Sequence, residues 1–162
     1  AVVWRGPMLM GALQQMLGQV QWGKLDILIV DLPPGTGDVQ LTLAQKTKVT
    51  GAIIISTPQD IALLDARKAL NMFAKTKTPI LGMVENMSTY ICPACGNEAD
   101  LFGSDGVKKE AAKQNLPFLG QIPLDLNIRL SSDNGEPLAL SDSAAASAYM
   151  ALAEKLILGN MA

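Results

Sequence analysis

Four short, continuous apolar runs rich in β-branched residues, Asp26 to Asp31, Ala52 to Thr57, Ile80 to Glu85 and Phe118 to Ile122, constrain this chain more than any other feature. A run that is apolar at successive rather than alternate positions is the pattern of a strand covered on both faces. Helical stretches separate the first three runs. Between the second and third, Ile61 to Lys75 places apolar residues at 61, 63, 64, 66, 69, 70 and 73, and Thr57-Pro58-Gln59-Asp60 reads as a capping signal ahead of it. Residues 8, 9, 12, 13, 16, 17 and 20 form the apolar face of an earlier helix that ends near Trp22 and Gly23. A last helix, from about Ser141 to Leu158, carries Tyr149, Leu152, Ala153, Leu156 and Ile157 on one side. Strands alternating with helices predict an α/β fold, an open and mostly parallel sheet with helices on both faces. Ligands bind such sheets beyond the carboxyl ends of the strands. With 162 residues, 49% of them hydrophobic, the chain can enclose one sizeable core, so residues 1–162 are expected to form a single domain.

The net charge of -2 gives no electrostatic reason for a phosphate backbone as partner, so nucleic acid is disfavoured. The longest apolar runs, Ile27 to Val30 and Ala52 to Ile55, are far too short to cross a bilayer, and no charged start leads into an apolar signal core. A cytoplasmic protein with no membrane partner is expected. Histidine is absent, which rules out Ser-His-Asp and Cys-His triads within this chain and any zinc site built on imidazole. A metal would have to take Cys, Asp or Glu. The two cysteines, Cys92 and Cys95, sit at ligand spacing rather than at the separation of an ordinary stabilising disulfide.

In Asp26-Ile-Leu-Ile-Val-Asp31-Leu-Pro-Pro-Gly35-Thr-Gly37-Asp38, an acidic residue ends a buried run and a Gly/Pro turn follows. Asp31 could hold a magnesium ion, directly or through water, and the Gly35 N–H could approach a terminal phosphate unobstructed by a side chain. The plainer alternative is an Asp that caps a turn. Gly18 to Leu25 almost matches a phosphate-binding loop but closes a helix instead of opening one, and Leu25 offers magnesium no hydroxyl. Lys24 there reads as a helix-end charge. Asn86 ends the third run, where its amide could both donate to and accept from an adenine edge, or simply close a turn through its own backbone. Cys92-x-x-Cys95-Gly96 lets two thiolates reach one soft metal centre, with three fates open: a labile iron-sulfur cluster, zinc, or a redox disulfide. Pro93 and Gly96 favour a loop knuckle over the helix-starting cysteines of thioredoxin-type sites. One chain supplies two ligands where a cluster or tetrahedral zinc takes four, so a two-fold dimer is the economical solution.

Taken in order, Trp4-Arg-Gly-Pro-Met8, Asp31-Leu-Pro-Pro-Gly-Thr-Gly-Asp38, Ser56-Thr-Pro-Gln-Asp60, Glu85-Asn-Met-Ser88, Cys92-Pro-Ala-Cys-Gly96 and Gly120-Gln-Ile-Pro-Leu-Asp125 resemble the Mrp/ApbC family of iron-sulfur cluster carriers. That family belongs to the deviant P-loop ATPases related to the MinD and ParA proteins. The resemblance implies a P-loop NTPase-like fold that binds ATP and Mg2+, with Asp31 and Gly35 in the catalytic positions. It implies Asn86 as a base contact, Pro123 and Asp125 lining the other side of the base, and Cys92 and Cys95 bridging a 4Fe-4S cluster across a homodimer. Apo iron-sulfur proteins would receive the cluster. The family's glycine-rich loop and Asp-containing first switch would precede Ala1, so the chain is expected to be an N-terminally incomplete portion that hydrolyses ATP poorly alone. Arg5 and Arg129 could be phosphate or interface cations, or solvated surface charges. Two other readings stand beside the carrier: a zinc-bridged, non-catalytic dimerisation or adaptor module, and a positioning ATPase of the MinD/ParA kind.

Overall fold

A computed structural model describes residues 6–32 and 37–160. At its centre, β1 (Ala52–Ser56), β2 (Ile80–Glu85) and β5 (Phe118–Gln121) pair in parallel in the order β1-β2-β5. Each strand falls within an apolar run singled out above. Successive side chains of a strand point to opposite faces; the central strand β2 is covered on both, whereas Ile53 and Ile55 leave one face of β1 exposed. On one face α3 (Asp60–Lys75) and α4 (Gly106–Lys113) bring Leu63, Ala66, Leu70, Phe73, Val107 and Ala111 onto Ile54 and Met83. On the other, α6 (Ala144–Asn160) lays Tyr149, Leu152 and Leu156 over Val84, Leu119 and Ile122. The mostly parallel sheet with helices on both faces is therefore present.

Helix α3 begins within a residue of the expected start, and α6 begins at Ala144, three residues after the expected Ser141. Helix α3 starts at Asp60 and ends at Lys75, an acidic first turn and a basic last turn that complement its dipole, but no side chain bonds its first N–H groups. Helix α1 (Gly6–Gln19) stops short of Trp22, whose Nε1 turns back to donate to the Met16 carbonyl at 3.0 Å, satisfying an acceptor at the helix end. It packs on α2 (Asp38–Lys46).

The run Asp26 to Asp31 departs from expectation. It forms no strand, and Ile27, Leu28, Ile29 and Val30 are all exposed, Ile29 by 84%. A strand forms only where a neighbour takes its N–H and C=O groups. Among the described residues none pairs with this run, and the ladder of β1 is formed with β2 alone. Not foreseen were α4, α5 (Leu126–Asn134), a 3-10 turn at Leu138–Leu140, and the two-stranded ribbon of β3 (Tyr90–Ile91) with β4 (Glu98–Ala99).

Candidate functional site

Backbone bonds stitch the carboxyl end of β2 to that of β1 on one side and to the segment after β5 on the other. Asn86 N–H donates to Ser56 O at 2.8 Å, Ser88 N–H and Oγ both reach Ile122 O, and Leu124 N–H donates to Thr89 O at 3.0 Å. Tyr90 then bridges Leu124, so β3 leaves the sheet beside residues 122–125. The cysteine ribbon is thereby mounted at the end of the sheet where ligands of α/β folds bind.

Within the ribbon, Tyr90 pairs with Ala99 and Ile91 with Glu98, leaving Cys92 to Asn97 as the connecting tip. Two backbone bonds close it: Cys92 N–H to Asn97 O at 2.9 Å and Gly96 N–H to Cys92 O at 2.8 Å. Gly96 sits at φ 70, a left-handed turn that a side chain would strain. Both thiols are free, Cys95 exposed and Cys92 partly so. The backbone N–H groups of Ala94 and Cys95, followed by the Cys95 thiol, hold the Cys92 thiol below its ordinary pKa. Donors aimed at sulfur favour the thiolate, the form that ligates metal. Among the described residues no group of three or more Cys, Asp or Glu side chains is placed to hold a metal ion. The tip alone thus offers two soft ligands.

The remaining sequence-derived positions fall in two places. Asn86 lies half-buried at the end of β2, its Oδ1 accepting the Met87 N–H at 2.9 Å, which is the turn-closing role set against base contact. Asp125 caps α5 by accepting the Asn127 N–H at 2.7 Å, with Pro123 partly buried just before it. These two segments are brought together with the cysteine ribbon by the Ser88 and Leu124 bonds. Asp31 is exposed at the end of the unpaired 26–30 run, away from any ladder, and Gly35 lies outside the described residues. Arg129 pairs with Asp133 at 2.6 Å in an exposed, one-turn ion pair, the solvated alternative. Sequence reading missed Glu85 and Gln121: the Glu85 carboxylate is fully buried and accepts Gln121 Nε2 at 2.8 Å. The available signal was an acidic residue ending a run that is otherwise apolar.

A protein named iron-sulfur cluster carrier protein from Pyrococcus horikoshii is 53% identical over 157 residues, 96% of this chain and 53% of its own length. One from Arabidopsis thaliana, named iron-sulfur protein required for NADH dehydrogenase, mitochondrial, is 49% identical over 160 residues, 98% of this chain and 51% of its own. The chain spans about half the length of the curated relatives it matches. Among solved structures, a nucleotide-binding protein from Archaeoglobus fulgidus described in complex with ADP superposes with a TM-score of 0.70 at 44% identity, covering 79% of this chain and 53% of that one. The cell division ATPase MinD of Pyrococcus furiosus, at 24% identity and a TM-score of 0.53 over 67% of this chain and 43% of that one, shares the fold. A family model described as ParA, NUBPL iron-transfer P-loop NTPase, matches residues 1–157, and the chain belongs to that family.

Proposed function

We propose that this chain is the thiol-bearing part of a nucleotide-dependent iron-sulfur cluster carrier, in which two copies each lend Cys92 and Cys95 to one 4Fe-4S cluster that is then passed to apo iron-sulfur proteins. The observation that carries the reading is the ribbon tip, where two free thiols at ligand spacing sit on a turn closed by two backbone bonds, whose N–H groups favour the Cys92 thiolate. Two thiolates leave half the coordination of a cluster unfilled, and a two-fold axis through the tip supplies the other half. The names of the relatives support the cargo, and the ADP recorded with the Archaeoglobus structure supports a nucleotide beside it.

For the nucleotide, Asp31 would hold Mg2+ and the Gly35 N–H would meet the terminal phosphate of ATP. Asn86 Oδ1 accepts one backbone N–H and keeps a second lone pair, and its Nδ2 would donate to an acceptor on the base. Pro123 would flank the base, while the Asp125 carboxylate, engaged at the α5 N-terminus, would act by shaping that loop. We assign the whole chain to one domain working in a reducing compartment such as the cytoplasm, where such thiols stay free. Among the described residues no helix is long and apolar enough to cross a membrane.

Anaerobic reconstitution with ferrous iron and sulfide tests this. A brown protein with broad visible thiolate-to-iron absorption, lost in Cys92→Ser and in Cys95→Ser, is the expected result. A colourless dimer loaded with zinc instead would favour the adaptor reading. A nucleotide-driven switch indifferent to both substitutions would favour a positioning ATPase.

A further inference from the structure

Residues 86–105, the excursion between β2 and α4, carry both cysteines, and a single side chain ties its two ends together. Glu85, the last residue of β2, is 0% exposed. Its Oε2 accepts the Val107 N–H in the first turn of α4 at 2.9 Å, and its Oε1 accepts Gln121 Nε2 at 2.8 Å from the end of β5. Its carbonyl accepts the Ile122 N–H at 2.8 Å. None of these partners is a cation, so the carboxylate is held by neutral donors and by the positive end of α4. Stability alone would be served more cheaply by an apolar side chain of the same size, which has no charge to desolvate. The far end of the excursion is fixed as well: Gly106 lies so close to Pro58, in the turn after β1, that a Cβ would collide with the Pro58 carbonyl.

We propose that Glu85 is a positioning residue for the thiol pair. By holding the start of α4 against the end of β2, it closes the base of the 86–105 excursion and sets how the Cys92–Cys95 tip is presented to a second copy. This rests on the reading of those thiols as a shared metal site. Val107 N–H is the other half of the clasp, and the Ser88 and Leu124 bonds carry its alignment out to the ribbon.

Co2+ serves as the probe, because it takes tetrahedral thiolate sites and reports them by visible absorption. Titrations of the whole chain compare wild type with Glu85→Met, which fills the volume but accepts nothing, and with Glu85→Gln, which keeps an acceptor for Val107. Leu63→Ala, a core substitution in α3 outside the excursion, supplies a control of lowered thermal stability. Glu85→Met is expected to weaken Co2+ binding about tenfold, the low end for residues that orient ligands, with Glu85→Gln within about twofold of wild type. Leu63→Ala should bind as wild type does. No loss in Glu85→Met, or an equal loss in Leu63→Ala, overturns the proposal. Should Glu85→Met fail to fold, amide exchange at Val107 in the wild-type chain decides: exchange slowed by Co2+ supports the clasp, and exchange indifferent to Co2+ overturns it. A wild-type chain that takes up no Co2+ removes the shared-site reading itself, and the Glu85 proposal with it.

Discussion

Beyond the carboxyl ends of β2 and β5, polar backbone groups are paired one after another, from Asn86 on Ser56 through Ser88 on Ile122 and Leu124 on Thr89 to Cys92 on Asn97. Along the outer side of β1 no such ladder exists among the described residues, and Ile53, Ile55 and the whole Ile27 to Val30 run stay exposed. Both regions are rich in β-branched apolar residues. The difference lies in neighbours. An apolar run states a demand for burial; a ladder and a covering helix must be present to meet it. The β1 side carries apolar surface of the kind that pairs with further chain, whereas the cysteine side has its backbone committed and presents thiols.

Substitutions on the two sides should therefore differ in cost. Leu70→Ala, in the layer between α3 and the sheet, is expected to lower unfolding free energy by about 2–5 kcal/mol in a urea titration. If Leu70→Ala cost no more than a surface change, the covered side would not be the core.

The next effect is acid-dependent. Glu110, 2% exposed, accepts Arg67 across the α3–α4 contact at 2.7 Å and Gln114 at 2.9 Å, and these bonds lower its pKa from 4.5 to about 2. A depressed carboxylate stabilises the fold fully above its unfolded pKa, so this contribution should be intact above about pH 4.5 and drain away as pH falls towards 2. Arg67→Ala should move acid unfolding, followed by circular dichroism, to higher pH; an unmoved midpoint would show that the pair is idle.

On the stitched side, Ser88→Ala removes one buried side-chain bond to Ile122 O while its N–H bond remains, for an expected loss of about 1 kcal/mol. Smallest of all is Ile29→Ser on the uncovered run, expected within about 0.5 kcal/mol of wild type in the same titration. A loss there approaching that of Leu70→Ala would erase the contrast between the two sides.

The strands β1, β2 and β5 and the helices α3 and α6 were legible because each is long or apolar enough for its period to speak for it. Asp26 to Asp31 misled for the same reason: its composition is that of a buried strand, and composition does not reveal whether a partner lies alongside. Helix α4 was missed because only Val107 and Ala111 carry its buried apolar face, the rest being Gly, Lys, Glu and Ala. Helix α5 buries none of its residues, so no periodic stripe betrayed it, although Asp125 at its start and Gly135 at φ 72 beyond its end were readable as caps. The cysteine knuckle was legible from Pro93 and Gly96, but its mounting was not. Ser88 to Ile122, Leu124 to Thr89 and Glu85 to Val107 each join residues that are distant in sequence, and no local pattern encodes such a pairing.

The most direct test is the native mass of the chain after anaerobic loading with iron and sulfide. Two chains plus the mass of one 4Fe-4S cluster, reverting to single chains when Cys92 and Cys95 are both replaced by Ser, is the expected result. A loaded species containing one chain, or a dimer that survives unchanged without the cysteines, would contradict the shared thiol site.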